Sequence, residues 1–277
     1  MTDTFAARLR ETVARQRSIV CVGLDPDPAR FPAELRGLPP NEAVVRFNAA
    51  IIAATAPYAA VFKPNFAFYE ALGADGWQAL AETIAAMPVG VLIIGDAKRG
   101  DISSTAAAYA TAVFARLGCD AVTVSPYLGG DSVAPFLEYS QQGRGVFILC
   151  RTSNPGGADL QNLAVRHEGG DIPLFLKVAH LAREWDEGRG AVGLVVGATY
   201  PNELGAVRRI APDLPILVPG IGIQGGDLEA NLELNQSGPI LISASRSITY
   251  AATGGSLADY AAAAASAARR LRDQCAF

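Results

Sequence analysis

The sequence predicts an α/β protein folded as a single (β/α)8 (TIM) barrel. Three observations carry that expectation. Eight short apolar runs recur along the chain, Ala-rich helical stretches separate them, and polar residues gather just past the C-terminal ends of the runs. The 277 residues suit one barrel, a fold that takes about 250. The expected organisation is one domain over 1–277, with an N-terminal helix and loop insertions near 25–41 and 152–173.

In order, the runs are IVCVGLD (19–25), YAAVFKPN (58–65), VGVLIIGDAK (89–98), AVTVSPY (121–127), GVFILCRT (145–152), AVGLVVGAT (191–199), PILVPGIG (215–222) and PILISASRS (239–247). They are rich in β-branched residues and continuous rather than alternating, which is how strands buried on both faces read. Stretches such as GWQALAETIAAM and STAAAYATAVFARLG lie between them and suit crossover helices. The rival is a doubly wound open sheet; the count of eight repeats favours the barrel. Segments 25–41 (Pro-rich), 152–160 (with NPGG) and 166–173 (with GGDIP) read as irregular connections, too short for domain linkers.

Composition excludes several function classes. Hydrophobic residues make up 50% and charged residues 18%, against an average near 25%, so the chain is neither disordered nor coiled coil. A net charge of −4 argues against non-specific binding to nucleic acid or anionic membrane, while leaving room for a local basic pocket. With only His167 and His180, most His-centred metal sites are excluded, and no metal or cofactor is expected. His167 is expected to be solvated and His180 to lie on a helix. Cys21, Cys119, Cys150 and Cys275 form no C-x-x-C pair and read as reduced thiols of a cytoplasmic protein. The first residues lack the apolar core of a signal peptide, and the longest uncharged run is too short and mixed to cross a bilayer.

The strand ends carry the chemistry. The first run closes on Asp25, the second on Lys63 and Asn65, and the third on Asp96 and Lys98. The fifth runs into Ser153 and Asn154, the eighth into Ser245 and Arg246. In GDAKRGDIS, Asp96 and Lys98 are two apart, which places them on one face of an extended strand, and Asp101 opens the next helix. They either pair as a structural salt bridge or form, with Lys63, a chain of alternating charge. Such a chain holds an ammonium protonated and supplies a proton donor in a fixed negative field. In PGIGIQGGD, Gly220, Gly222 and Gly225 spell G-x-G-x-x-G, but the following run offers Arg246 where a dinucleotide site wants an acid. Gly-rich turns after strands seven and eight, with Gln224 and Arg246, point instead to a phosphate grip.

Taken in order, VGLDPDP, FKPNFAFYEALG, DAKRGDIS, SPYLGGDS, RTSNPG, PGIGIQGGD and SRSI resemble the orotidine 5′-phosphate decarboxylase family, in its longer bacterial subfamily, over nearly the whole chain. The resemblance implies cofactor-independent conversion of orotidine 5′-phosphate to uridine 5′-phosphate. Lys98 would protonate carbon 6, Asp96 would sit beside the substrate carboxylate, and Lys63 and Asp101 would complete the charge chain. It implies a homodimer in which Asp101, Ile102 and Thr105 reach the partner's site. Asp25 would bind ribose hydroxyls, Ser153 the pyrimidine amide, and Ile221 would pack on the ring. Asn65 is a further candidate ligand at the end of strand two. Gln224, the Ser245 backbone and Arg246 would hold the phosphate. Many members carry Gly where this chain has Ser245. D-x-K-x-x-D also occurs in magnesium-dependent sugar-phosphate decarboxylases and aldolases of the same suprafamily, and a silent phosphate-binding barrel is a third reading.

Overall fold

A computed structural model describes residues 3–221, 226–236 and 238–275. All eight apolar runs form strands: β1 (Val20–Leu24), β2 (Val61–Pro64), β3 (Leu92–Arg99), β4 (Ala121–Val124), β5 (Gly145–Arg151), β8 (Val192–Val196), β9 (Ile216–Pro219) and β10 (Ile240–Ala244). They close in the order β1-β10-β9-β8-β5-β4-β3-β2, the parallel (β/α)8 barrel expected from the repeat count. β1, β2, β4, β8 and β10 are buried at every residue, because helices cover one face of a parallel sheet and the barrel interior the other.

The 166–173 stretch departs from the irregular connection expected. It belongs to an antiparallel hairpin of β6 (Ala164–His167) and β7 (Gly170–Pro173), pairing Ala164 with Pro173 and His167 with Gly170. Gly169 and Gly170 take positive φ at its turn, a conformation open to glycine at no steric cost. His167 is half-buried rather than solvated. Its ring lies 4.3 Å from that of His180, on the helix Leu174–Asp186. Burial, reinforced by His167, lowers the pKa of His180.

The residues group into two compact units. One is drawn from Met1–Arg10, Lys98–Arg116 and Asp120–Ile242, the other from Glu11–Ala97, Leu117–Cys119 and Ser243–Phe277. In the first, the carboxylate of Asp186 accepts the backbone N–H groups of Gly190, Ala191 and Val192 at 2.8–3.0 Å, fixing the entry to β8. Arg208, also buried, donates to Asn235 and to the carbonyls of Ala211, Pro212, Leu214 and Pro239. In the second, the helix Leu257–Gln274 starts on a Ser256/Asp259 capping box and packs on the helix Pro40–Thr55. The Pro-rich stretch after Asp25 is anchored by stacked rings: Phe31 lies 4.4 Å from Phe47, and Phe47 5.4 Å from Tyr250.

Candidate active site

In the second unit, β2 and β3 deliver Lys63 and Asp96, whose Nζ and Oδ2 atoms lie 2.8 Å apart with both side chains buried. Burial alone would push the Lys63 pKa down. The carboxylates of Asp96 and Asp25 outweigh it and hold the ammonium above the usual lysine range. Lys63 is therefore charged at any physiological pH. Removing either partner of such a pair strands a buried charge, at a cost of about 3–5 kcal/mol. Cys21, the neighbouring thiol on β1, is pushed up to about 11 by burial and stays protonated.

Asp25 follows β1. Its Oδ2 accepts the Ser245 hydroxyl at 2.6 Å, and Tyr250 Oη donates to its backbone carbonyl at 3.3 Å while accepting the Asp27 N–H at 2.6 Å. Asn65 bridges to Asp96 in parallel fashion, and its side-chain oxygen accepts the Ala67 N–H, capping the short helix Phe66–Glu70. Arg246 is exposed at the first residue of the turn Arg246–Thr249, directly after Ser245.

In the first unit, Lys98 takes a positive φ of 46°, and its N–H donates to the Thr123 hydroxyl on β4 at 2.9 Å. Asp96 is buried and Lys98, two residues on in the same strand, is exposed. Asp101 is half-buried and its carboxylate accepts the Ile102 N–H. Ile102 and Thr105 are exposed at the start of the helix Ser103–Ala110.

Ser153 rests on Gly197, where a Cβ would come within 2.7 Å of the Ser153 backbone. A clamp holds the residues before it. Gln161 accepts the Thr152 N–H and donates to the Thr152 hydroxyl, while Arg151, buried under the Tyr200 ring at 3.8 Å, donates to the Gln161 and Thr152 carbonyls. Gly157 is needed there because a Cβ would lie 2.8–2.9 Å from all three side chains.

Ile221 forms an isolated parallel bridge to Gly226. Gly220 has a positive φ, and a Cβ on Gly226 would meet Ala198 at 2.4 Å, so these two glycines have steric reasons of their own. Gln224, Gly222 and Gly225 lie outside the described residues.

Thr123, Tyr250, the Arg151–Gln161 clamp and the Ser245 hydroxyl were not legible as site features. Thr123 reads as one more β-branched strand residue, and a Tyr following an Arg by four carries no spacing signal.

Parallel (β/α)8 closure, polar residues closing several strands and the buried Lys63–Asp96 pair define the class: a (β/α)8 barrel enzyme, a fold whose active sites form at the C-terminal ends of the strands. The family model described as orotidine 5′-phosphate decarboxylase / HUMPS matches residues 18–259, and the chain belongs to that family. The orotidine 5′-phosphate decarboxylase of Thermomicrobium roseum is 52% identical over 275 residues, covering 98% of this chain and 94% of its own. That of Herpetosiphon aurantiacus is 51% identical over 260 residues, 93% of each chain. Among solved structures, Leishmania donovani OMP decarboxylase superposes with a TM-score of 0.82 at 40% identity, covering 99% of this chain and 97% of its own. Leishmania donovani UMP synthase gives 0.85 at 43% identity; this chain spans 56% of that one.

Proposed function

We propose that this chain, one barrel domain working as a cytoplasmic homodimer, decarboxylates orotidine 5′-phosphate to uridine 5′-phosphate in pyrimidine biosynthesis, without metal or organic cofactor. The Lys63–Asp96 pair carries the reading: a permanently charged ammonium and a carboxylate, both buried at strand ends, with Asp25 adding to the field on Lys63. Breaking the bond from carbon 6 to the carboxylate releases carbon dioxide and leaves the electron pair on carbon 6. The Lys98 ammonium gives that carbon a proton, and the amine regains one from water. A fixed cation lowers the barrier because negative charge develops where it already points.

The remaining roles follow the family pattern. Asp25 meets ribose hydroxyls, Ser153 the pyrimidine amide, Ile221 the ring, and Gln224, the Ser245 backbone and Arg246 the phosphate; Asn65 lies beside the Asp96 strand end. Phosphate contacts far from the reacting carbon provide binding energy to align the charged groups. Ile102 and Tyr127, apolar yet 55% and 81% exposed, support a second copy covering the segment that bears Asp101 and Thr105. Four buried free cysteines support a reducing compartment. Among the described residues, no helix is long and apolar enough to cross a membrane.

The test is loss of orotidine phosphate absorbance by purified protein after exhaustive chelation. Turnover is expected to persist, and its abolition would favour the magnesium-dependent chemistry of the same suprafamily. Lys98→Ala should lower kcat by about a thousandfold or more while uridine 5′-phosphate still binds. Near-normal turnover in that variant would reject the proton-donor role.

A further inference from the structure

The carboxylate of Asp25 is held asymmetrically. Oδ2 takes the Ser245 hydroxyl at 2.6 Å, while Oδ1 is buried with no hydrogen-bond partner among the described residues. A buried acceptor left unpaired is expensive, and its natural complement is a donor arriving with a ligand. The Asp25 backbone is fixed as well, through the Tyr250 hydroxyl on its carbonyl. Ser245 reaches Oδ2 only because residue 23 is glycine: a Cβ there would stand 2.6 Å from Ser245 Cβ and 3.0 Å from its Oγ. An ionised carboxylate only accepts, so the Ser245 hydroxyl proton is committed to Asp25.

We propose that the Ser245 hydroxyl is a positioning group. It locks the Asp25 carboxylate so that Oδ1 is presented to a sugar hydroxyl of the nucleotide, and thereby sets the preference for ribose over deoxyribose. The inference rests on the reading of Asp25 as the ribose ligand. It adds a side-chain role to a residue whose backbone amide serves the phosphate, so one residue organises two parts of the substrate. Pre-set geometry of this kind raises affinity by removing the ordering cost at binding.

The experiment measures competitive inhibition of orotidine 5′-phosphate turnover by uridine 5′-phosphate, its 2′-deoxy and 3′-deoxy forms, and inorganic phosphate. Wild type, Ser245→Ala, Asp25→Ala and the double variant are compared. Ser245→Ala should lower the preference for the ribonucleotide over at least one deoxy form by about fivefold, leaving phosphate inhibition in place. In the Asp25→Ala background the same change should do nothing more. If Asp25→Ala abolishes the preference and Ser245→Ala keeps it, the positioning role is overturned while Asp25 stands as ribose ligand. If Asp25→Ala itself keeps the preference, the ribose assignment falls and the proposal with it.

Discussion

Lys98 adopts a backbone conformation that residues other than glycine seldom take, and it costs about 1–3 kcal/mol to hold. The Thr123 hydroxyl accepts its N–H and helps to hold it. Thr123→Val keeps the shape and removes that acceptor. Stability should fall by about 1–3 kcal/mol in urea unfolding. With Lys98 as the proposed proton donor, steady-state kinetics should show kcat reduced about tenfold with KM little changed, since its misplacement would harm the transition state more than binding. An unaltered kcat would detach Thr123 from the reaction. Residues of this kind escape a sequence reading because strand alternation assumes extended backbone at every position. Asp96 and Lys63 were legible because opposite charges closing neighbouring strands are conspicuous among apolar residues. The Ser245 hydroxyl was not, since its partner lies 220 positions away.

Among the elements, the eight barrel strands were legible because burial on both faces leaves uninterrupted β-branched runs. The β6–β7 hairpin was not. Neither of its strands has a fully buried residue, so no apolar face stands out at a period of two, and Arg166, His167, Glu168 and Asp171 read as loop. The hairpin leans on its helix through the His167–His180 rings, which ties it to pH. His180 has a folded pKa below its ordinary value of 6.5, so the folded state binds fewer protons there than the unfolded chain. Its contribution is present above pH 6.5 and is lost as pH falls through the folded value. Amide exchange in β6 and β7, corrected for intrinsic rates, should accelerate on going from pH 7.5 to 5. His180→Gln should flatten that dependence. Equal protection at both pH values would remove the ring pair as its cause.

For the chain as a whole, stability draws on anchors remote from the chemistry. Arg208 is 2% exposed and donates to one side-chain oxygen and to four carbonyls in the segments that lead into β9 and β10, at the N-terminal ends of those strands. Burial pulls its pKa down to about 10, with Asp213 opposing, so it is still a cation at neutral pH. Arg208→Met would strand those acceptors. We expect a loss of about 3–5 kcal/mol, read as a fall in Tm of about 10 °C by calorimetry, with kcat unchanged below the transition. Unaltered Tm would mean water satisfies the carbonyls. The close approach of Gly23 and Ser245 has its own consequence for how this sequence can drift. One side chain's worth of volume lies between those two positions, and it is already occupied from the Ser245 side. A lineage can gain a methyl at position 23 only after shedding the serine hydroxymethyl, so the two sites must change together and in that order. Positions 222 residues apart are thereby bound into a single evolutionary choice.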